Sequence, residues 1–420
     1  MATTIATAFF LLAGILAGDG AAPSAAVRLD PPAKPGALGP NLAKDGETVL
    51  LSWLEPPDPR VKPQEGRYAL RLSRLEKGRW SEPSTIASGR DFFANWADFP
   101  SVTADARGRL LAHWAAKSAG DTYAYDVRLA LSKDRGRTWK PLGTAHDDRT
   151  PTEHGFVSAV PEGERIRLFW LDGRATQGGR GAMALRTALV GDAVGRSAVL
   201  DGKVCDCCQT GAAATARGPL VVYRDRSDGE IRDVAAVRLE GNRWTAPSPV
   251  HRDGWEIGGC PVNGPSVAAD GPRVAVAWYT QASDRPRVEV AFSNDSGASF
   301  GPPTVVDARA PLGRVDVVLD GNGDALVLWV ASEGKAASIR LARVTPAGRV
   351  GTALSVAPTQ PSRSSGFPRV ERTGQTLVVA WVEATDPPRL RAATLKGSTL
   401  KSGIGAIGEF SPGTNSGIQR

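Results

Sequence analysis

The chain has 420 residues, 41% of them hydrophobic, which is enough apolar material for a core and excludes wholesale disorder. Its 51 Lys and Arg face 44 Asp and Glu for a net charge of +7, with both signs mixed throughout, so no basic stripe suited to nucleic acid is present. Gly and Pro (47 and 31) are dispersed as turn punctuation and long helical periodicity is absent, which points to an all-β chain.

In chain order, the first feature is the apolar run Ile5 to Ala17, too short to span a bilayer and of the length of a signal-peptide core. No Lys or Arg occupies positions 2–5, so the charge ahead of the run comes from the terminal amine alone. The small residues of Ala21-Ala22-Pro23-Ser24-Ala25-Ala26 offer cleavage sites, and no cysteine follows to take a lipid. The expectation is a signal peptide over 1–26, export to a periplasmic or secreted location, and no stable membrane span. Residues 27–38 read as a Pro-rich segment and 401–420 as a tail.

Between them, over 39–400, a short apolar strand ending in an aromatic residue recurs. It ends at Trp53, Trp114, Trp170, Tyr223, Trp278, Trp329 and Trp381, at intervals of 51–61 residues. A small-residue strand and a tight turn precede each copy, as in Pro265–Ala269 and Asp270-Gly271. A third alternating strand and a fourth short one follow, as in Val288–Phe292 and Thr304–Val306. Four short strands per unit of about 50 residues is the pattern of propeller blades. The chain is predicted to form a single β-propeller of seven four-stranded blades, with six as the alternative count.

A second motif lies in the turn between third and fourth strands. Ser132-Lys133-Asp134-Arg135-Gly136-Arg137-Thr138-Trp139 has the form Ser-x-Asp-x-Gly-x-Thr-Trp, and Ser293 to Phe300 repeats it. Weaker echoes occur at Glu76–Trp80 and Glu240–Trp244. The Asp carboxylate can accept backbone N–H bonds across the hairpin while Gly supplies a positive φ, so these are folding elements. With these boxes the chain resembles the sialidase (neuraminidase) superfamily of Asp-box, or BNR-repeat, β-propellers, over roughly residues 39–396. The resemblance implies an axial funnel on the face where the inner strands begin, opposite the Asp boxes. It also implies a glycan-like ligand or, as an alternative, exo-sialidase-type glycoside hydrolysis.

That topology brings together Trp96–Pro100, Glu153–Phe156, Cys207–Thr210, Cys260–Gly264 and Ser365–Pro368. The second-to-third strand loops over 224–233, 172–174 and 281–285 join them. The four cysteines of the chain are Cys205, Cys207, Cys208 and Cys260. Aligning repeats on Gly218 and Gly271 sets Cys207 level with Cys260 on adjacent blades. Three chemistries fit the cluster. Export favours disulfides; four thiolates suit Zn²⁺ or Cu(I), with His154 as a further ligand; and the vicinal pair Cys207–Cys208 suits thiol redox chemistry.

The loop 224–233 alternates charges. It reads either as a solvated loop of local ion pairs or as an anion site in which Arg224, Arg226 and Arg232 bind a carboxylate or sulfate. His154 and Asn263 are further ligand-binding candidates, and Asp98 and Glu230 are candidate acid/base groups. The sialidase catalytic set does not transfer residue by residue. No arginine occupies Leu38-Gly39-Pro40-Asn41-Leu42, and Tyr223 and Tyr279 repeat a packing position. The expected protein is a monomer that binds a small anionic or glycan-like ligand in its funnel. A protein-interaction scaffold without catalysis is the further alternative.

Overall fold

The computed structural model describes residues 26–400, so the apolar run at 5–17 and the tail at 401–420 lie outside the described residues. Seven antiparallel sheets are present, spanning 38–89, 101–144, 154–201, 211–249, 266–307, 311–359 and 369–396. They are the seven blades of a β-propeller, so the count of seven holds and six does not. Among the described residues no helix is long and apolar enough to cross a membrane.

Every predicted aromatic sits on the second strand of its blade, as Trp278 does within Arg273–Thr280. The packing explains the period. Seven hydrophobic clusters each bridge one pair of neighbouring blades, and each contains one of the seven aromatics. Trp170, for example, packs with Leu111 and Val127 of the preceding blade. Several of the polar tips are also satisfied. Trp170, Trp278 and Trp329 donate to Asp172, Asp253 and Asp307 at 2.8–2.9 Å, and the Tyr223 hydroxyl donates to Asp201 at 2.6 Å. A repeat without its aromatic would leave an interface void, at a cost of about 3–5 kcal/mol.

The Asp boxes fold as the sequence predicts. Asp134 accepts from Thr138 N (2.9 Å) and Thr138 Oγ1 (2.6 Å), while Ser132 Oγ takes the Gly136 amide at 2.8 Å. Asp295 and Ser293 repeat the set with Ser299 and Gly297 at 2.6–3.0 Å. Gly136 and Gly297 have φ of 86° and 78°, which a side chain would strain.

The seventh blade has three strands of its own, Arg369–Thr373, Thr376–Glu383 and Arg389–Lys396. Its fourth is Val27–Arg28, from the Pro-rich segment, paired antiparallel with residues 393–394. Leu29 N bonds Ala392 O at 2.9 Å, and Asp30 takes Arg391 at 3.1 Å. The N-terminal segment therefore closes the ring.

Candidate functional site

Inner strands start at one end of the axis, and their first residues carry the irregular backbone. The ladders of blades 1, 3 and 6 are interrupted near Gly39, Phe156 and Arg314. Phe156, Val262 and Arg314 all have positive φ (52°, 49° and 54°). Bulges re-aim side chains, and non-glycine residues in this region cost on the order of 1–3 kcal/mol each, so the surrounding packing must hold them there. This end is called the mouth.

The cysteines lie at the mouth where blades 4 and 5 meet. Cys205 N donates to Arg224 O at 3.0 Å, and Val204 bridges Asp225, pinning the cysteine loop to the end of a strand. Cys205 and Cys208 are buried, with sulfurs 3.5 Å apart, and Cys207 completes a group whose sulfurs all lie within 4.8 Å of one another. Cys260 comes from the next blade and neighbours Cys207, outside that group of three. All four are free thiols. Arg232 Nη1 donates to Cys205 Sγ at 3.1 Å.

The charged loop is knitted internally. Arg224 is 1% exposed, and it donates to the carbonyls of Arg232, Asn263 and Tyr279 at 2.5–3.1 Å while stacking 4.9 Å over Trp255. Its donors are spent on the protein, so it acts as a strut. Asn263 likewise accepts the Arg314 amide at 2.7 Å. Arg226 and Arg232 both pair with Glu230, at 2.9 and 2.7 Å, and those two bonds pull the Glu230 carboxyl down to about 2. A carboxyl held so firmly ionised is a poor proton donor.

Asp98 has the opposite environment. It is buried, its Oδ2 lacks a hydrogen-bond partner, and burial raises its pKa to about 6. Beside it stands Tyr125, stacked on Phe93, whose hydroxyl donates to Glu153 Oε1 at 2.8 Å. Burial, helped by the charge of Asp98, raises Glu153 to about 8. A Cβ on Gly155 would fall 2.0 Å from Asp98 Oδ2, so only glycine lets the backbone pass this carboxyl. The result is a carboxyl–phenol–carboxyl group able to hold or release a proton near neutral pH.

His154 sits elsewhere. It is fully buried, stacks on His146 at 3.7 Å, and faces Asp148 and Asp172 at 3.2 and 3.8 Å. Arg174 already pairs with both carboxylates, at 3.2 and 2.7 Å, so this is a closed ionic network between blades and not part of the cysteine group.

Along the axis runs a cavity of about 570 Å³ lined by the inner strands of all seven blades. Hydroxyls of Ser101, Ser158 and Ser266 face it, together with Asp98, Asp316 and Arg369. Phe99, Phe156 and Phe367 crowd its mouth end. Gln209 spans that end, donating to Ala97 O at 2.7 Å and accepting from Gly264 N at 3.0 Å. Arg369 lies 5.2 Å over Phe99 and 3.3 Å from Asp316. Arg314 and Arg363 flank Trp96 at 5.1 and 5.8 Å. Arg314 is buried and bonds only neutral oxygens, so burial and the neighbouring Arg363 lower it to about 10.

Sequence reasoning missed Tyr125, Glu153, Gln209 and Arg369. Glu153 and Gln209 could have been weighed, because both fall inside the segments placed at the mouth. Tyr125 opens a third strand, where no repeat pattern marks it.

No protein-family model and no curated protein matches the chain. Among solved structures, it resembles a protein of unknown function from Dyadobacter fermentans at 12% identity, with 88% of this chain and 97% of that one covered and a TM-score of 0.51. It also resembles an ulvan lyase bound to a glucuronate–sulfated rhamnose unit, at 11% identity over 86% and 95% of the two chains with a TM-score of 0.55. A Hadza microbial sialidase aligns at 13% identity over 82% and 75%, with a TM-score of 0.48. Likeness at these identities is a likeness of fold, the β-propeller that the Asp boxes predict.

Proposed function

We propose that the protein is an exported propeller that binds a small anionic, glycan-like ligand in its axial cavity. The observation that carries this reading is the lining of that cavity, where hydroxyls, carboxylates and the guanidinium of Arg369 converge beside the Phe99 ring. A polyhydroxylated ligand exchanges water for such groups, and its carboxylate or sulfate competes with Asp316 for bidentate bonds to Arg369. The ulvan lyase of the same fold, bound to a sulfated uronic-acid saccharide, fits this ligand class. Titration with uronic-acid and sulfated oligosaccharides should give micromolar binding that Arg369→Met weakens at least about 10-fold. No binding across neutral and anionic oligosaccharides would overturn the reading.

One observation favours catalysis as a second reading. Asp98, Tyr125 and Glu153 form a proton-holding group at the mouth, with Asp98 lining the cavity. Glu153, protonated at neutral pH, would supply the proton to a departing glycosidic oxygen, as raised-pKa carboxyls do in glycosidases. Turnover of a fluorogenic glycoside panel, lost at least about 100-fold in Glu153→Gln, tests it. No turnover across the panel leaves binding alone.

A further inference from the structure

We propose that Cys205, Cys207, Cys208 and Cys260 form a thiolate site for a thiophilic closed-shell cation, Zn²⁺ or Cu⁺, at the mouth between blades 4 and 5. Sulfurs that share a metal at about 2.3 Å in tetrahedral geometry lie about 3.8 Å apart, whereas bonded sulfurs lie about 2.05 Å apart. Cys205 and Cys208 stand at 3.5 Å, and the Cys207 sulfur is within 4.8 Å of both. Cys260 stands near Cys207 across the blade boundary, outside the group of three, and would supply the fourth donor.

Core packing does not account for the group. Cys207 is half-buried and Cys260 exposed, yet these are the only cysteines in the chain and they converge. An ion therefore has an entry path.

The group is also preorganised. Both cysteine segments are tied to the same charged loop. Cys205 is held through the Arg224 carbonyl, and the 256–260 segment through the Glu256–Ile231 bridge and the Ile257 N to Glu230 O bond of 3.0 Å. The site is thus braced by backbone before any ion arrives.

Four thiolates around Zn²⁺ leave two excess negative charges, and three around Cu⁺ leave the same. Arg232, with a side chain only 4% exposed, donates to Cys205 Sγ at 3.1 Å. Arg226 stands near, paired with Asp206 and Glu230. Guanidinium groups so placed offset the excess and orient one ligand sulfur.

The two ions differ in what they ask of Cys260. Cu⁺ is content with the three mutually close thiolates, whereas Zn²⁺ requires the fourth. The test uses the full-length protein, reduced under anaerobic conditions. It is titrated with Zn²⁺ alone and with Cu⁺ alone against chromophoric chelators, with alkylation of the thiols as a parallel readout. We expect one ion per chain, protection of at least three thiols from alkylation, and loss of binding by at least about 100-fold in the Cys205→Ser/Cys207→Ser/Cys208→Ser variant. In Cys260→Ser, loss of Zn²⁺ with Cu⁺ retained identifies a three-thiolate Cu⁺ site. Loss of both ions identifies a four-thiolate site, and either result upholds the proposal. Binding weaker than micromolar in the wild-type protein, unprotected thiols at saturation, or unchanged affinity in the triple variant overturns it. Because the readouts are metal stoichiometry and thiol protection, failure here is separate from failure to bind a glycan.

Discussion

The two ends of the propeller treat their carboxylates in opposite ways. At the Asp-box end, hydrogen bonds from Thr138 and Ser132 lower Asp134 to about 2. Asp295 also falls well below the usual range, where bonds from Ser293 and Ser299 overcome a burial penalty. At the mouth, burial raises Asp98 to about 6 and Glu153 to about 8. Backbone geometry divides the same way. Positive φ at the boxes falls on the turn pairs Arg135-Gly136 and Ser296-Gly297, whereas at the mouth it includes Phe156, Val262 and Arg314. One end satisfies itself within a hairpin; the other holds unsatisfied groups and strain that only the assembled ring can impose. Groups of the second kind cluster where proteins bind or react.

Three substitutions test this contrast. The largest effect belongs to the box. Asp295→Ala removes three local hydrogen bonds and should cost about 3 kcal/mol in urea denaturation while leaving glycan affinity unchanged. A change in affinity would mean that the two ends are coupled.

Asp98→Asn should act in the other direction. A carboxyl raised in the folded state keeps a proton that the unfolded chain releases, so its contribution to stability falls as pH rises from about 4 to about 6 and stays low above. The variant should therefore gain about 2–3 kcal/mol at pH 8 and little at pH 4. Parallel denaturation curves at the two pH values measure this, and an equal effect at both would place Asp98 among satisfied structural acids. The smallest effect belongs to Glu230→Gln. Its carboxylate is part-exposed and paired with two arginines, so stability should barely shift, with no change in the pH profile of binding or turnover.

How far the sequence reaches differs between these ends for the same reason. Boxes and aromatic-ended strands are local patterns repeated around the ring, so Asp134, Asp295 and the seven aromatics were legible, and with them the blade count. The level placement of Cys207 and Cys260 followed from that repeat. What escaped depends on contacts between distant segments. Arg224 reads as a free cation beside its charged neighbours, and only the fold shows three carbonyls taking its donors. Gln209 reaches Ala97, 112 residues away. Val27–Arg28 is two residues long and carries no strand pattern.

That short strand has a consequence for the life of the chain. It covers the outermost row of backbone donors and acceptors on Arg389–Lys396, so cutting the chain beyond Asp30 would turn a closed ring into a sheet with an open border. An open border can pair edge to edge with the same border of another trimmed copy. Loss of those few residues would thus expose the strand edge that the clasp covers.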